Sequence, residues 1–412
     1  MIKILLGGSP CTKWSVAQSN NRETKPKGVG WELFKNYVIA KERFKPDYFL
    51  YENNMSTDDR IKKQIEKELH HKIQPINSNL LSAQNRYRFY VHNIPNVKAP
   101  KDKGIILTDI LEQSDKDITC GQKAYTLISS YNKTKYNRTL EENQSEIMPI
   151  RVGYIGNNGQ ANRVYSTNGK SICLSANGGG GGSKTGLYAI NVGEYKAVQK
   201  AIPILEKKYG YIPQMFNPYN ELEIINKAPT LTTSGFTGTS GVAIFQKTDI
   251  PIYVVKNGII TINGNQYPSR LDDGYYIIRR LSVIETKRLQ TVPDDYIMPC
   301  SSSQNYKMLG NGWTVDIIAH ILSHIPNISN EEIIVLSMYD GMSCGHIALD
   351  KLGANVKKYF ATEIDKYCIE TTQANYPNTI QLGDAMYVRT ELFWNRLNAL
   401  MPQERPEAHS GI

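Results

Sequence analysis

Ile2-Lys3-Ile4-Leu5-Leu6-Gly7-Gly8-Ser9-Pro10-Cys11 opens the chain, an aliphatic run interrupted once by lysine and then broken by glycine, serine and proline. A short apolar run bounded by such breakers reads as a strand buried in a sheet. The cysteine after it stands on a Gly/Pro-shaped loop at the carboxyl edge of an α/β sheet, where open sheets bind their ligands. A lone cysteine at a strand–loop junction is by itself more often a packing residue, so Cys11 is read with what surrounds it.

Outward from that strand, the pattern predicts a helix over Gly30–Phe44, stopped near Pro46, and a strand Tyr48–Tyr51 running into Glu52-Asn53-Asn54. A charged amphipathic helix from Thr57 to Leu69 follows, then a strand pair over Ile73–Ile76 and Arg86–Asn93. From Ser114 to about Asp273, Lys, Asn, Tyr, Ser and Gly dominate, with an unbroken glycine run at Gly178–Gly182; this reads as a loop-rich, mostly β insert. Helices resume at Ser282–Gln290 and Thr314–His324. The tail alternates again: strand Ile333–Met338, a glycine loop, helix Ile347–Leu352, strand Tyr359–Thr362, helix Lys366–Asn375, strand Thr379–Leu382 and helix Thr390–Leu400. Strands alternating with helices indicate an α/β sheet with helices on both faces, here joined to a smaller, mostly β domain.

The 412 residues allow two domains. Lys and Arg number 48 against 39 Asp and Glu, a net charge of +9 that suits a polyanionic partner such as nucleic acid. The six cysteines form no CxxC pair and no Cys/His cluster at zinc spacing, which predicts no metal and a reducing, cytoplasmic setting. The opening apolar run is too short for a membrane span.

Glu52, like Cys11, sits just past a strand, although Glu52–Asp58 also reads as a helix-capping cluster. A thiolate beside a carboxyl group is what attack on cytosine C6 requires, because the ring is a poor electrophile until N3 is protonated or strongly hydrogen-bonded. In Gln84-Asn85-Arg86-Tyr87-Arg88 the two arginines are two apart and, on a strand, share one face. Alone, that block is an ordinary edge strand.

Taken together these blocks resemble the DNA cytosine-5 methyltransferases. Gly8-Ser9-Pro10-Cys11 is similar to their G-F-P-C nucleophile loop, Glu52-Asn53-Asn54 to their E-N-V strand end, and Gln84–Arg88 to their Q-x-R-x-R block. Arg280-Leu281-Ser282 through Arg288-Leu289-Gln290-Thr291-Val292-Pro293-Asp294 resembles the family's R-x-L-T…R-L-Q-G-F-P-D helix, and Leu309-Gly310-Asn311-Gly312-Trp313 its G-N block. Asp340-Gly341-Met342-Ser343-Cys344-Gly345 resembles the family's cofactor loop, in the D-G-x-x-T-G form of the mammalian de novo enzymes.

The resemblance implies an S-adenosylmethionine-dependent, Rossmann-like fold and a set of site residues. Cys11 would be the nucleophile, Glu52 would hold N3 and the exocyclic amine, and Arg88 and Arg86 would support them. The cofactor would lie against the loop Asp340, Gly341, Met342, Ser343, Cys344 and Gly345. Glu363 would bind the ribose hydroxyls, with Ile364 beside it in the cofactor site, Asp384 with Ala385 would meet the adenine amino group, and Pro10, Asn311 and Trp313 would complete the site. A glycine loop with a downstream acid is also how a dinucleotide site reads, so that triplet alone does not discriminate.

The blocks stand in circularly permuted order, with the nucleophile first and the cofactor loop last. The domains implied are 1–113, the catalytic half; 114–275, target recognition; 276–325, helices returning to the catalytic domain; and 326–412, the cofactor half. Such a permutation leaves the spatial sheet intact when old and new termini lie close together at the surface. Arg151–Ile190 resembles the recognition region of GCGC-type bacterial members, which places Gln160 in the gap left by the flipped cytosine, with Arg163 on a guanine and Tyr165 nearby. Ser15, on the loop after the nucleophile, would close over DNA. Cys173 replaces a threonine usual in that block, and Asn191–Arg270 is additional chain. Asn226–Phe245 loosely echoes Gly169–Ile190, either as a second recognition element or as one Thr/Gly-rich hairpin resembling another. The reading is a monomeric enzyme of a bacterial or phage-infected cell, acting on double-stranded DNA with no membrane or metal. An RNA cytosine-5 methyltransferase and a catalytically idle DNA-binding or anti-restriction module are the alternatives.

Overall fold

The computed structural model describes residues 1–15, 22–112, 144–157, 159–174, 186–219, 221–223, 251–262 and 264–402. The glycine run and the second Thr/Gly-rich segment lie outside the described residues. In chain order the first strands are β1 (Ile2–Gly7), β2 (Tyr48–Asn54), β3 (Gln74–Asn77) and β4 (Tyr87–His92). The middle carries β5 (Arg151–Tyr154), β6 (Arg163–Ser166), β7 (Leu187–Asn191), β8 (Met215–Asn217), β9 (Leu222–Glu223), β10 (Ile252–Lys256), β11 (Ile259–Ile262), β12 (Asn265–Pro268) and β13 (Gly274–Arg279). The tail adds β14 (Glu332–Met338), β15 (Asn355–Thr362) and β16 (Ile380–Gly383). The α-helices are α1 (Val29–Phe44), α2 (Asp59–Leu69), α3 (Leu107–Ile110), α4 (Lys196–Tyr209), α5 (Val283–Leu289), α6 (Ser302–Asn311), α7 (Val315–Leu322), α8 (Cys344–Lys351), α9 (Lys366–Asn375) and α10 (Glu391–Leu400).

Packing divides the chain into two units: residues 1–75, 87–98 and 318–412 form one, and residues 76–86 and 99–317 the other. The first is built on a seven-stranded sheet in the order β16-β15-β14-β1-β2-β4-β3. β1 lies parallel between β14 and β2, so the two ends of the chain share one sheet. Ile4, Leu5 and Leu6 are buried in succession rather than alternately, the mark of a parallel strand covered on both faces. Helix α2 shows why its stretch is helical: Asp58 caps it by accepting from the Arg60 N–H, and Ile61, Ile65 and Leu69 form its buried stripe at four-residue spacing. Leu5, Phe34, Tyr37, Tyr51, Phe89, Leu336 and Phe360 belong to the core that this arrangement creates.

The second unit carries a nine-stranded sheet, mostly antiparallel, ordered β12-β11-β10-β13-β7-β6-β5 with β8 and β9 attached to β10. The expected β-rich insert is therefore present, but it also holds α4, which the sequence reading treats as loop. Its stripe Val198, Ala201 and Leu205 is short, and Pro203 interrupts the pattern. Helix α6 was likewise not expected, and α8 begins at Cys344 rather than Ile347. The packing boundaries also differ from those read in the sequence. Leu281 and Leu289 of the α5 region share a core with Tyr165, Leu174 and Tyr188, so this helix packs with the strands of the second unit.

Candidate active site

The first unit's register lines up the candidate residues. Gly7 of β1 pairs with Tyr51 of β2 and with Met338 of β14; Met338 pairs with Thr362 of β15, and Thr362 with Gly383 of β16. One row thus crosses five strands. Immediately beyond it come Ser9-Pro10-Cys11, Glu52, Asp340, Glu363 and Asp384. Because β1, β2, β14, β15 and β16 are mutually parallel, all five carry these residues at their carboxyl ends, the binding edge of an open sheet.

Cys11 begins a single 3-10 turn, Cys11–Lys13, and its carbonyl accepts from the amides of Trp14 and Ser15, both at 2.9 Å. Trp14 is fully buried, and its indole donates to Glu23 Oε2 at 3.2 Å. Glu23 also receives the Gly30 amide at the start of α1. Pro10 is exposed, while Cys11 and Ser15 are half-buried. Upstream, Ser9 Oγ lies 2.7 Å from Tyr51 Oη, and Asn53 Nδ2 donates to the Ser9 carbonyl at 2.9 Å.

Glu52 is buried and pairs with Arg88, Nε to Oε1 3.1 Å. In the antiparallel β2–β4 ladder Glu52 faces Tyr90 and Asn54 faces Arg88, so Glu52 and Arg88 are diagonal neighbours on one face. Arg86 does not share this arrangement. It precedes β4 and belongs to the second unit, where its guanidinium donates to the carbonyls of Gly310 at 3.1 Å and Gly312 at 2.9 Å. Arg86 thus stands one residue before β4 and is held by other partners than Arg88.

The glycine loop makes a left-handed turn, with Gly341 at φ 61° and Ser343 at φ 57°. Gly341 has open space where a side chain would stand. Met342, Ser343 and Cys344 are buried, so the loop's side chains serve packing. Asp340 accepts from Tyr359 Oη at 2.8 Å and from Ser343 Oγ, and burial pushes its pKa up to about 6. Glu363 is fixed by three backbone amides: Gly341 N–H to Oε2 at 2.8 Å, and Ile364 and Asp365 N–H to Oε1 at 2.7 and 2.8 Å. Ile364 beside it is 72% exposed. Asp384 caps the turn that follows it by accepting from the Met386 amide at 2.8 Å, while Ala385 is buried. An immobilised carboxylate, an adjacent exposed aliphatic surface and an open glycine suit a ribose diol, an adenine ring and a close backbone approach. The residues fit S-adenosylmethionine.

In the second unit, Asn311 is exposed at the end of α6 and Trp313 is half-buried two residues on. Gln290, fully buried, donates to the Leu309 and Gly312 carbonyls and accepts from Thr314 Oγ1 at 3.0 Å. Gln290 and Arg86 therefore hold the Gly-Asn-Gly-Trp segment through its backbone. Gln160 is exposed in a short turn between β5 and β6, and Arg163 Nε has no hydrogen-bond partner among the described residues. Tyr165, expected at the DNA, is instead 6% exposed and packed 6.0 Å from the Tyr188 ring. A cavity of about 350 Å³ beside β5 is lined by Arg151, Tyr154 and Arg270. Sequence reading missed the Ser9–Tyr51–Asn53 cluster. Its signal was a serine where the G-F-P-C pattern has an aromatic residue. Among the described residues no group of three or more His, Cys, Asp and Glu is placed to hold a metal ion, and no helix is long and apolar enough to cross a membrane.

A family model described as C-5 cytosine-specific DNA methylase matches residues 1–327. The chain is 28% identical over 206 residues to the type II methyltransferase M.HhaI of Haemophilus parahaemolyticus, a match covering 46% of this chain and 60% of that protein, less than two thirds of its length. It is 24% identical over 376 residues to the orphan methyltransferase M.SPRI of Bacillus phage SPR, covering 78% and 82%. A crystal structure of the S. pombe Dnmt2 methyltransferase superposes with a TM-score of 0.37 at 9% identity, covering 80% of this chain and 78% of that one.

Proposed function

The chain belongs to the C-5 cytosine-specific DNA methylase family, and on that premise we propose that it methylates C5 of a cytosine flipped out of a specific duplex DNA sequence, through a covalent bond from Cys11 to C6. The observation that carries this reading is the row Gly383–Thr362–Met338–Gly7–Tyr51, beyond which Cys11, Glu52, Asp340, Glu363 and Asp384 follow along one sheet edge.

Cys11 Sγ adds as thiolate to C6 across the C5–C6 double bond while the Glu52 carboxyl donates its proton to N3 and accepts from the exocyclic amine, with Arg88 holding Glu52 from the same face of the sheet. Glu363, Ile364, Asp384 and the Gly341 turn would hold S-adenosylmethionine, which when bound would give its sulfonium methyl group to C5 and leave as S-adenosylhomocysteine. Loss of the C5 proton then lets the C6–S bond break and returns Cys11. On the recognition side, Gln160 and Arg163 are the readers of a GCGC-like site. Arg151 and Arg270, lining one cavity, suit a backbone phosphate. The order of the blocks is the family's order circularly permuted. The family model's match ends at 327, and β14 stands parallel beside β1 although far from it in sequence. The protein is read as a monomer of the bacterial or phage-infected cytoplasm.

The test is bisulfite sequencing of DNA from a methylation-deficient host expressing the chain or its Cys11→Ala variant. Protected cytosines in one short motif, absent in the variant, are expected. Soluble expression without protection would overturn the DNA reading, and methylation of RNA by the same preparation would replace it.

A further inference from the structure

We propose that Ser9 and Tyr51 form a hydroxyl latch that positions the Cys11 nucleophile relative to Glu52. The proposal rests on the reading of Cys11 as the nucleophile and goes beyond it, because neither latch residue touches the base.

Tyr51 and Asn53 flank Glu52 in β2, and alternation along a strand sends both to the side opposite Glu52. On that side they meet the loop that carries the thiol. Ser9 Oγ is 2.7 Å from Tyr51 Oη, and Asn53 Nδ2 donates to Tyr51 Oη at 3.0 Å and to the Ser9 carbonyl at 2.9 Å. Asn53 Oδ1 is occupied by the Asn54 amide at 2.8 Å, which fixes the direction of its amide group. All three residues are buried: Ser9 is 4% exposed, Asn53 1% and Tyr51 0%.

The phenol has little freedom to move. Its ring lies 5.2 Å from Phe34, 5.0 Å from Tyr37 and 6.3 Å from Phe89. Burial raises the Tyr51 pKa, so its hydroxyl stays protonated and able to donate. Between Ser9 and Cys11 stands only Pro10, at φ −51°, whose ring removes a soft dihedral. A displacement of Ser9 is thus passed on to the thiol. The same strand that presents Glu52 on one face grips the nucleophile loop with the other, which couples the positions of the two reacting groups. Where the resembled G-F-P-C pattern has an aromatic ring, this chain has a small hydroxyl, with the aromatic residue contributed from β2.

Single-turnover methylation of duplex DNA by the full-length protein tests the latch, comparing wild type with Tyr51→Phe, Ser9→Ala and the double variant. Each single change should slow the rate constant by roughly 10- to 100-fold, the scale of a small misplacement of reacting groups. DNA and S-adenosylmethionine dissociation constants should hold. The double variant should be no slower than the slower single one, because both remove the same bond. Ser9→Thr, which keeps the hydroxyl, should retain more rate than Ser9→Ala. Should Tyr51→Phe fail to fold, Ser9→Ala alone carries the comparison. An active wild type with folded variants at equal rate overturns the latch alone, as does slowing accompanied by an equal loss of substrate affinity. A wild type that neither methylates nor forms an adduct on 5-fluorocytosine DNA overturns the catalytic reading and the latch with it.

Discussion

Asp340, placed by the proposed function at the cofactor, is a buried carboxyl whose ionisation works against stability. Burial raises its carboxyl from an ordinary value of 3.8 to about 6, and hydrogen bonds from Ser343 and Tyr359 only partly offset that rise. A carboxyl raised in the folded state contributes stability that is fully present below about pH 4 and is lost as pH climbs through about 6. Asp340→Asn should therefore melt higher than wild type at pH 7.5, with the gap closing as pH falls toward 5, as read by scanning fluorimetry. S-adenosylmethionine carries a sulfonium and an ammonium charge, so its affinity for wild type should weaken as pH drops from 7.5 to 5 and Asp340 takes up its proton. In Asp340→Asn that part of the pH dependence should disappear. A variant with unchanged melting and an unchanged binding profile would show that Asp340 is ionised and well solvated throughout.

Among the elements, the segment leading into Arg86 is held from within the second unit by one buried cation. Lys170 has no exposed surface, and its ammonium donates to the carbonyls of Asn79 at 2.8 Å, Ser82 at 3.1 Å and Ile105. Three carbonyls replace the water an ammonium loses on burial. Lys170→Met fills much of the same volume but leaves those carbonyls without their donor, a cost on the order of 3 kcal/mol. Urea unfolding should show a lower midpoint at an unchanged slope, and an unchanged midpoint would mean that water or backbone shifts replace the ammonium. Gln290 and Arg86 work in the same way on the carbonyls of Leu309, Gly310 and Gly312 at the end of α6.

At the scale of the whole molecule, the seven-stranded sheet depends on chain that the family model does not match. β14, β15 and β16 come from beyond residue 327, and β14 pairs with β1 from Ile2↔Ile333 to Gly7↔Met338. A chain ending at 325 would leave the β1 edge unpaired and Leu5 without Leu336 in its core, a template for aggregation. Expressed alone, residues 1–325 should be insoluble, and co-expression with 326–412 should restore soluble, methylating protein. A soluble, folded 1–325 fragment would show that the tail strands are dispensable for the sheet.

The strand ends that carry the candidate residues were legible in the sequence because they are written in short blocks. A strand broken by Gly-Gly-Ser-Pro ahead of Cys11, an acid after the next strand, and a glycine loop followed by two acids need only neighbouring residues to be read, and β1, β2, β14, β15 and β16 appear where their apolar runs predict. The mostly β insert was legible from its composition. What tertiary structure decided is each case where a residue answers to a distant partner. Register aligned Gly7, Tyr51, Met338, Thr362 and Gly383 in one row, since ladder pairing is set by whole strands and not by any block. Packing turned Tyr165 inward against Tyr188 and helix α4 toward the β core, both invisible to a pattern that cannot see the opposite layer. Arg86 and Arg88, two residues apart, take different partners, the Gly310 and Gly312 carbonyls for one and Glu52 for the other. The hydroxyls of Ser9 and Tyr51 stand 42 positions apart in the chain and meet only because parallel strands bring their carboxyl ends together.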